Sequence, residues 1–256
     1  MPCWKIVRRG AVLGRDTEPV RDDAAGYEAD VEQLMRRVYL GVREDSLDPQ
    51  DVVALACELL DWFRHTDAVL EAVERNPADV SRAEMTVLAR RILNDVGFDP
   101  GFELAPERLE TLRAALRVVA RDLPTRGIEG EPEIEILEDW FPVGAGVRLA
   151  DGVQLNWGGP ILPNMCDDPV MALTSLATLI QESLLERTRQ VWPVCPRHDL
   201  GAHAVEHDRE VAWSCAGDGG HTLAPVGELA LALGRRRPKQ RSSTEYSSFR
   251  TAAVIR

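Results

Sequence analysis

The sequence predicts an α+β fold that is mainly α, and three observations carry that expectation. Apolar residues recur every three to four positions from residue 24 to about 122, the spacing of helices that bury one face. From Glu133 the period shortens to two, the mark of strands. Beyond residue 190, cysteines and histidines cluster where long apolar stripes end. The expected organisation is an N-terminal arm at 1–23, a helical bundle at 24–123, and a small α+β middle with a β-hairpin and a long helix at 124–190. A cysteine–histidine module at 191–234 and a basic, disordered tail at 235–256 complete it.

The arm is polar, with a short strand expected at Trp4–Val7. The first helix, 24–43, places Tyr27, Val31, Leu34, Val38 and Leu40 at helical spacing. Asp48 caps the next and Pro49 fits its first turn, where a missing N–H costs nothing. That helix is expected to reach about His65, with Val52, Leu55, Leu59 and Phe63 on one stripe. A third runs from Thr66 to Arg75 and is broken by Asn76-Pro77. Ser81 and Glu84 form a capping box for a helix that Gly97 ends, and Pro106 opens another expected to close at Leu123-Pro124.

Strand patterns follow. Ile134 and Ile136 alternate with glutamates. A three-residue loop at Ala150-Asp151-Gly152 would pair Leu149 with Val153, Val147 with Leu155 and Ala145 with Trp157, placing all six side chains on one face. A two-residue loop loses that match, so a left-handed Gly152 is expected. Asp168-Pro169 then starts the longest helix, to about Gln190, with a one-sided stripe of Val170, Leu173, Leu176, Ala177, Ile180 and Leu184.

Composition narrows the function classes. Hydrophobic residues make up 45% of the chain and charged residues 28%, values ordinary for a globular protein. No segment offers the roughly 18 consecutive apolar residues of a membrane helix, and the first residues lack the apolar core of a signal peptide. Five irregularly spaced cysteines fit a reducing, cytoplasmic location better than a disulfide framework. The only lysines are Lys5 and Lys239, so a phosphate-binding Gly-Lys-Ser/Thr loop and an internal catalytic lysine are both excluded. The net charge is −12. Residues 235–256 carry seven basic residues and one acidic residue, which leaves −18 on the remainder. A body so acidic repels nucleic acid, and only the tail could touch an anionic partner.

The strongest motif is Cys195-x2-His198, sixteen residues, then Cys215-x5-His221. Two short-range ligand pairs separated by a hairpin-sized gap are how a zinc ribbon is assembled, each pair on a tight turn. Two thiolates and two imidazoles satisfy a tetrahedral Zn2+ and leave no open position, so the expected zinc is structural and the module zinc-ribbon-like. Pro196 and glycines 217, 219 and 220 let the backbone fold around an ion, and Val211–Ser214 reads as the strand entering Cys215. His203 and His207 are rival ligands, His207 being placed in the hairpin turn.

These residues carry a resemblance. Trp192-Pro-x-Cys-Pro-x-His-x-Leu-Gly-x-His203, then Val211-Ala-Trp-x-Cys and His221-x-x-Ala-Pro-Val-Gly-Glu-Leu229, resemble the C-terminal module of uncharacterised actinobacterial proteins. The segment 28–96, with Asp-Pro-x-Asp-x-Val-x-Leu-Ala at Asp48, is faintly similar to helical modules in such proteins. The resemblance implies a soluble bacterial protein and no particular activity.

Other candidates read as structure. Glu182 and Glu186 lack the Glu-x-x-His partners of a di-iron site and read as a solvated face. The acidic run Glu129–Asp139 reads as the wet side of an edge strand. Cys57 reads as a core cysteine, and Cys166 as a thiol that nearby carboxylates discourage from ionising. Trp140-Phe141 reads as a core anchor, with a binding hot spot as the alternative. With no catalytic residue set, the sequence favours a zinc-binding accessory protein whose partner is another protein. A metal-dependent hydrolase with an open zinc site is the alternative from another class, and nucleic-acid binding through ribbon and tail a third.

Overall fold

The computed structural model describes residues 23–234, so the expected strand at Trp4–Val7 and the basic tail lie outside the described residues. The fold is α+β and mainly α. Among the described residues the seven α-helices are α1 (Asp23–Arg43), α2 (Pro49–Asp61), α3 (Asp67–Glu74), α4 (Arg82–Asp95), α5 (Pro106–Val119), α6 (Pro169–Thr188) and α7 (Leu229–Gly234). The strands are β1 (Glu133–Leu137), β2 (Gly144–Arg148), β3 (Gln154–Leu155), β4 (Ala202–His207), β5 (Glu210–Cys215) and β6 (His221–Pro225). They form two three-stranded sheets, ordered β1-β2-β3 and β4-β5-β6.

Two compact units interleave along the chain. The first runs to Thr111 and adds Ile136–Ala145 and Pro160–Asp168; the second takes Leu112–Glu135, Gly146–Gly159 and everything from Pro169.

The first unit has its core on α1–α4, where one apolar cluster runs from Val31 to Leu93. Local chemistry sets the helix starts. Asp48 accepts the Gln50 N–H, Thr66 accepts the Val69 N–H, and Ser81 and Glu84 form both halves of a capping box. Gly97, at φ 72°, ends α4 as expected. Two stripe positions differ from expectation. Leu40 is only half-buried, and Met35, Tyr39 and Val42 are the partly buried α1 residues that pack on the core. Phe63 lies beyond the end of α2 at φ 58° and is 86% exposed, because the helix stops at Asp61. Cys57 is half-buried on α2, not a core residue. In the same unit, buried Arg108 holds Asp167 with two parallel N–H···O bonds of 2.7 and 2.8 Å, and Asp99 with a third of 2.7 Å.

In the second unit α5 ends at Val119, and a 3-10 turn at Leu123–Arg126 follows where a continuous helix to Leu123 was expected. The break leaves Asp122 fully buried. Its carboxylate accepts the Trp213 indole N–H at 2.7 Å, the Gly227 N–H at 2.6 Å and the Leu229 N–H at 2.8 Å. One side chain thus ties the end of α5 to β5 and to the turn that starts α7.

The β2–β3 hairpin has the expected register at Val147↔Leu155, and Gly152 is left-handed at φ 84°. The pairing of Ala145 with Trp157 does not form. Ala145 bridges to Ile161, while the Trp157 N–H donates to Ser183 Oγ and its ring is 55% exposed. β3 ends after two residues because the chain turns at Asn156–Gly159, with Gly158 and Gly159 both at positive φ. Helix α6 is buried over a wider arc than a one-sided stripe allows: Ala172, Leu176, Leu179, Ile180, Gln181, Ser183 and Leu184 are all buried, and Val170 and Leu173 only half so. It packs against β3 and against β4 and β5, so two faces of the helix are covered.

Candidate metal centre

Helix α6 delivers the chain to the site. Gln181, buried, donates from Nε2 to the carbonyls of Trp192 and Ala202, which flank the first ligand turn. Trp192 is itself buried, with its indole N–H on Thr125 Oγ1 at 3.0 Å and its ring edge-on to Trp213 at 5.3 Å. The turn closes through Cys195 N–H to the Leu200 carbonyl (2.8 Å) and Asp199 N–H to the Cys195 carbonyl (2.9 Å), with Asp199 left-handed. Cys195 and His198 therefore sit on one tight knuckle.

The second knuckle is built by the sheet. β4 leaves the first turn and meets β5 through the two-residue turn Asp208-Arg209, both at positive φ. The β4–β5 register sets Ala202 opposite Cys215, which brings the end of β5 back to the first knuckle. Between β5 and β6 the register slips at Trp213/Ser214: Trp213 pairs with Ala224, but Ser214 pairs with Thr222. An unbroken register would put Thr222 opposite Cys215. The bulge puts His221 there instead, on the same face as Cys215.

The structure brings Cys195, His198, Cys215 and His221 together, with one ligand atom from each inside a span of 4.8 Å. Cys195 Sγ lies 3.8 Å from His198 Nδ1 and 3.5 Å from His221 Nε2, and Cys215 Sγ lies 3.4 Å from His198 Nδ1. A tetrahedral ion bonded at roughly 2.3 Å to sulfur and 2.0–2.1 Å to nitrogen requires ligand atoms about 3.4–3.8 Å apart. The four residues are thus close enough to hold a metal ion. Both cysteines are 1% exposed. The Gly217 N–H points at Cys215 Sγ at 3.4 Å, a donor suited to a thiolate. Gly217 also lies against the His198 ring: a Cβ there would fall 2.4 Å from Nδ1, so any side chain would push the imidazole out of place.

The rivals stay outside the cluster. His203 is exposed on β4, and His207 is exposed beside the hairpin turn. Cys166 is buried, with its thiol on the Leu162 carbonyl, and burial pushes its pKa up to about 11. Asp167 adds to that rise and Arg108 opposes it, so desolvation rather than the expected carboxylates is the main reason it stays protonated. Glu182 is exposed, and Glu186 pairs with Arg189 at 2.6 Å. Glu135, from the acidic run, is no free wet-face residue: it pairs with Arg148 at 3.3 Å and takes the Gln154 amide at 2.6 Å. Trp140 and Phe141 are 42% and 101% exposed, which overturns their reading as a core anchor. Among the described residues no helix is long and apolar enough to cross a membrane.

Sequence reasoning missed Gln181, Asp218 and the bulge. Only the Gly-Asp-Gly-Gly run hinted at Asp218, whose Oδ2 lies 2.9 Å from His198 Nε2. Compared with protein-family models, with curated proteins and with solved structures, the chain gives no match.

Proposed function

We propose that the chain is an accessory protein that binds a protein partner and uses one Zn2+ to fold its C-terminal module, with Cys195, His198, Cys215 and His221 as the four ligands. The observation that carries the reading is the convergence of two buried thiols and two imidazoles within 4.8 Å. Two sulfurs and two nitrogens are a donor set that suits zinc, and carboxylate-loving Mg2+ and Ca2+ find no oxygen among the four. Four protein ligands fill a tetrahedron, so the ion would hold the two knuckles together rather than present a bound water. The interaction half of the reading is supported by the first unit. There exposed Phe141 and Val143 line a groove of about 810 Å³ together with Phe98, Phe102 and Leu109. Exposed apolar patches of this kind mark binding surfaces more often than chance surface.

Elemental analysis of protein purified without added metal tests the zinc. One zinc per chain is expected, with clearly less in Cys195→Ser and Cys215→Ser. A zinc-free wild type, or undiminished zinc in both variants, contradicts the proposal.

A further inference from the structure

We infer that Asp218 is a positioning residue that fixes which nitrogen of His198 faces the metal, an inference that rests on reading the four residues as a metal site. A neutral imidazole has one donor and one acceptor nitrogen, and only the acceptor can bind a metal. His198 turns Nδ1 toward the two thiols, 3.4 Å from Cys215 Sγ and 3.8 Å from Cys195 Sγ. Its Nε2 lies 2.9 Å from Asp218 Oδ2. An ionised carboxylate only accepts, so this contact holds the proton on Nε2 and leaves the Nδ1 lone pair free for the ion. The same contact fixes the ring plane and strengthens the nitrogen as a donor to the metal.

Asp218 sits at φ 49°, ψ 46°, a left-handed conformation that aspartate tolerates better than most side chains and that Asp45, Asp199 and Asp208 share at positive φ. Gly217, next to Asp218 in the chain, packs directly on the His198 ring. Asp218 also lies 3.6 Å from Arg197, but that pair is solvent-exposed and easily screened. The contact to His198 is the shorter of the two, and that imidazole is 11% exposed against 59% for Arg197, while the carboxylate itself is 70% exposed in both.

Full-length protein tests this through zinc affinity, measured by competition with a chromophoric chelator at fixed pH. Asp218→Gly removes the carboxylate and relaxes the backbone, so circular dichroism should show the fold kept. Its zinc affinity should fall about 10- to 100-fold. Asp218→Asn keeps an oxygen acceptor and should lose less; it also decides the question should the glycine variant fold poorly. Long-range 15N spectra of the zinc-loaded wild type should show His198 metal-bound at Nδ1 and protonated at Nε2, with His221 bound at Nε2. A wild type that binds no zinc overturns the metal reading itself. A zinc-binding wild type with unchanged affinity in both Asp218 variants overturns the role of Asp218 alone. An Arg197→Ala variant that loses as much affinity as Asp218→Gly overturns it too, in favour of the surface ion pair.

Discussion

The α1–α4 bundle and the β4–β6 sheet are held together by different means. The bundle buries sixteen apolar side chains between Val31 and Leu93 in one cluster, and burial of that kind needs no ligand. The sheet buries Ala202, Val211, Trp213 and Ala224, of which only Trp213 is large. What it lacks in apolar volume it replaces with polar anchors: Asp122 beneath Trp213, Gln181 across two carbonyls, and the Cys–His cluster at the two knuckles. Each region is therefore vulnerable to a different kind of change. Methylene deletions are the main threat to the bundle, while loss of a polar anchor or of the one large buried ring, Trp213, threatens the sheet.

The largest expected effect is at the ligands. A closed structural zinc supplies on the order of 10 kcal/mol to the module that binds it. Cys215→Ser should therefore melt the sheet at a temperature where the bundle still shows full helical signal by circular dichroism. A single unshifted transition would mean that the sheet stands on packing alone.

Next come the polar and aromatic anchors. Trp213→Ala should cost about 3–5 kcal/mol. Asp122→Ala orphans three donors, two buried and the Gly227 N–H part-buried, and at roughly 1–3 kcal/mol for each buried one should cost a comparable amount. Urea titration followed by Trp fluorescence checks both. Additive losses in the double variant would show that the two do not act through one contact.

Leu55→Ala sharpens the comparison from the other side. Leu55 is fully buried in the bundle, so a loss of about 2–5 kcal/mol is expected, of the same size with and without a chelator. A chelator-dependent loss would couple the two regions.

The smallest effect is at the α4 cap. Ser81→Ala should cost about 1 kcal/mol. The Ser81 hydroxyl and backbone N–H, with Arg75 beside them, hold the Glu84 carboxyl below its ordinary pKa. A depressed carboxylate stabilises above its unfolded pKa and loses that contribution as pH falls through the folded value. The mutant should therefore show a shallower acid loss of stability than wild type, read from melting temperature against pH.

How much was legible in the sequence follows the same divide. Caps and turns are written within four residues, so Asp48, Ser81–Glu84, Gly97 and Gly152 could be read directly. The convergence of Cys195, His198, Cys215 and His221 was legible because each pair is local and thiol–imidazole spacing is rarely accidental. Anchors that act across the chain were not. Asp122 reaches Trp213 over 91 positions, and nothing near it marks it as buried. The pairing of Ala145 with Ile161 beat Trp157 because the Gly158-Gly159 turn reverses the chain too early for a longer hairpin. Phe63 and Phe141 carry an apolar identity that the pattern assigns to a core, yet the helix end and the loop leave both outside. The His221 register depends on a bulge at Trp213/Ser214, which no residue there announces.

Hydrogen exchange with and without a zinc chelator tests the central claim most directly. Chelation is expected to strip protection from residues 191–229, above all from β4–β6, while amides of α2 and α4 exchange as slowly as before. Protection that is unchanged everywhere after the metal is removed, or lost equally from bundle and sheet, would contradict it.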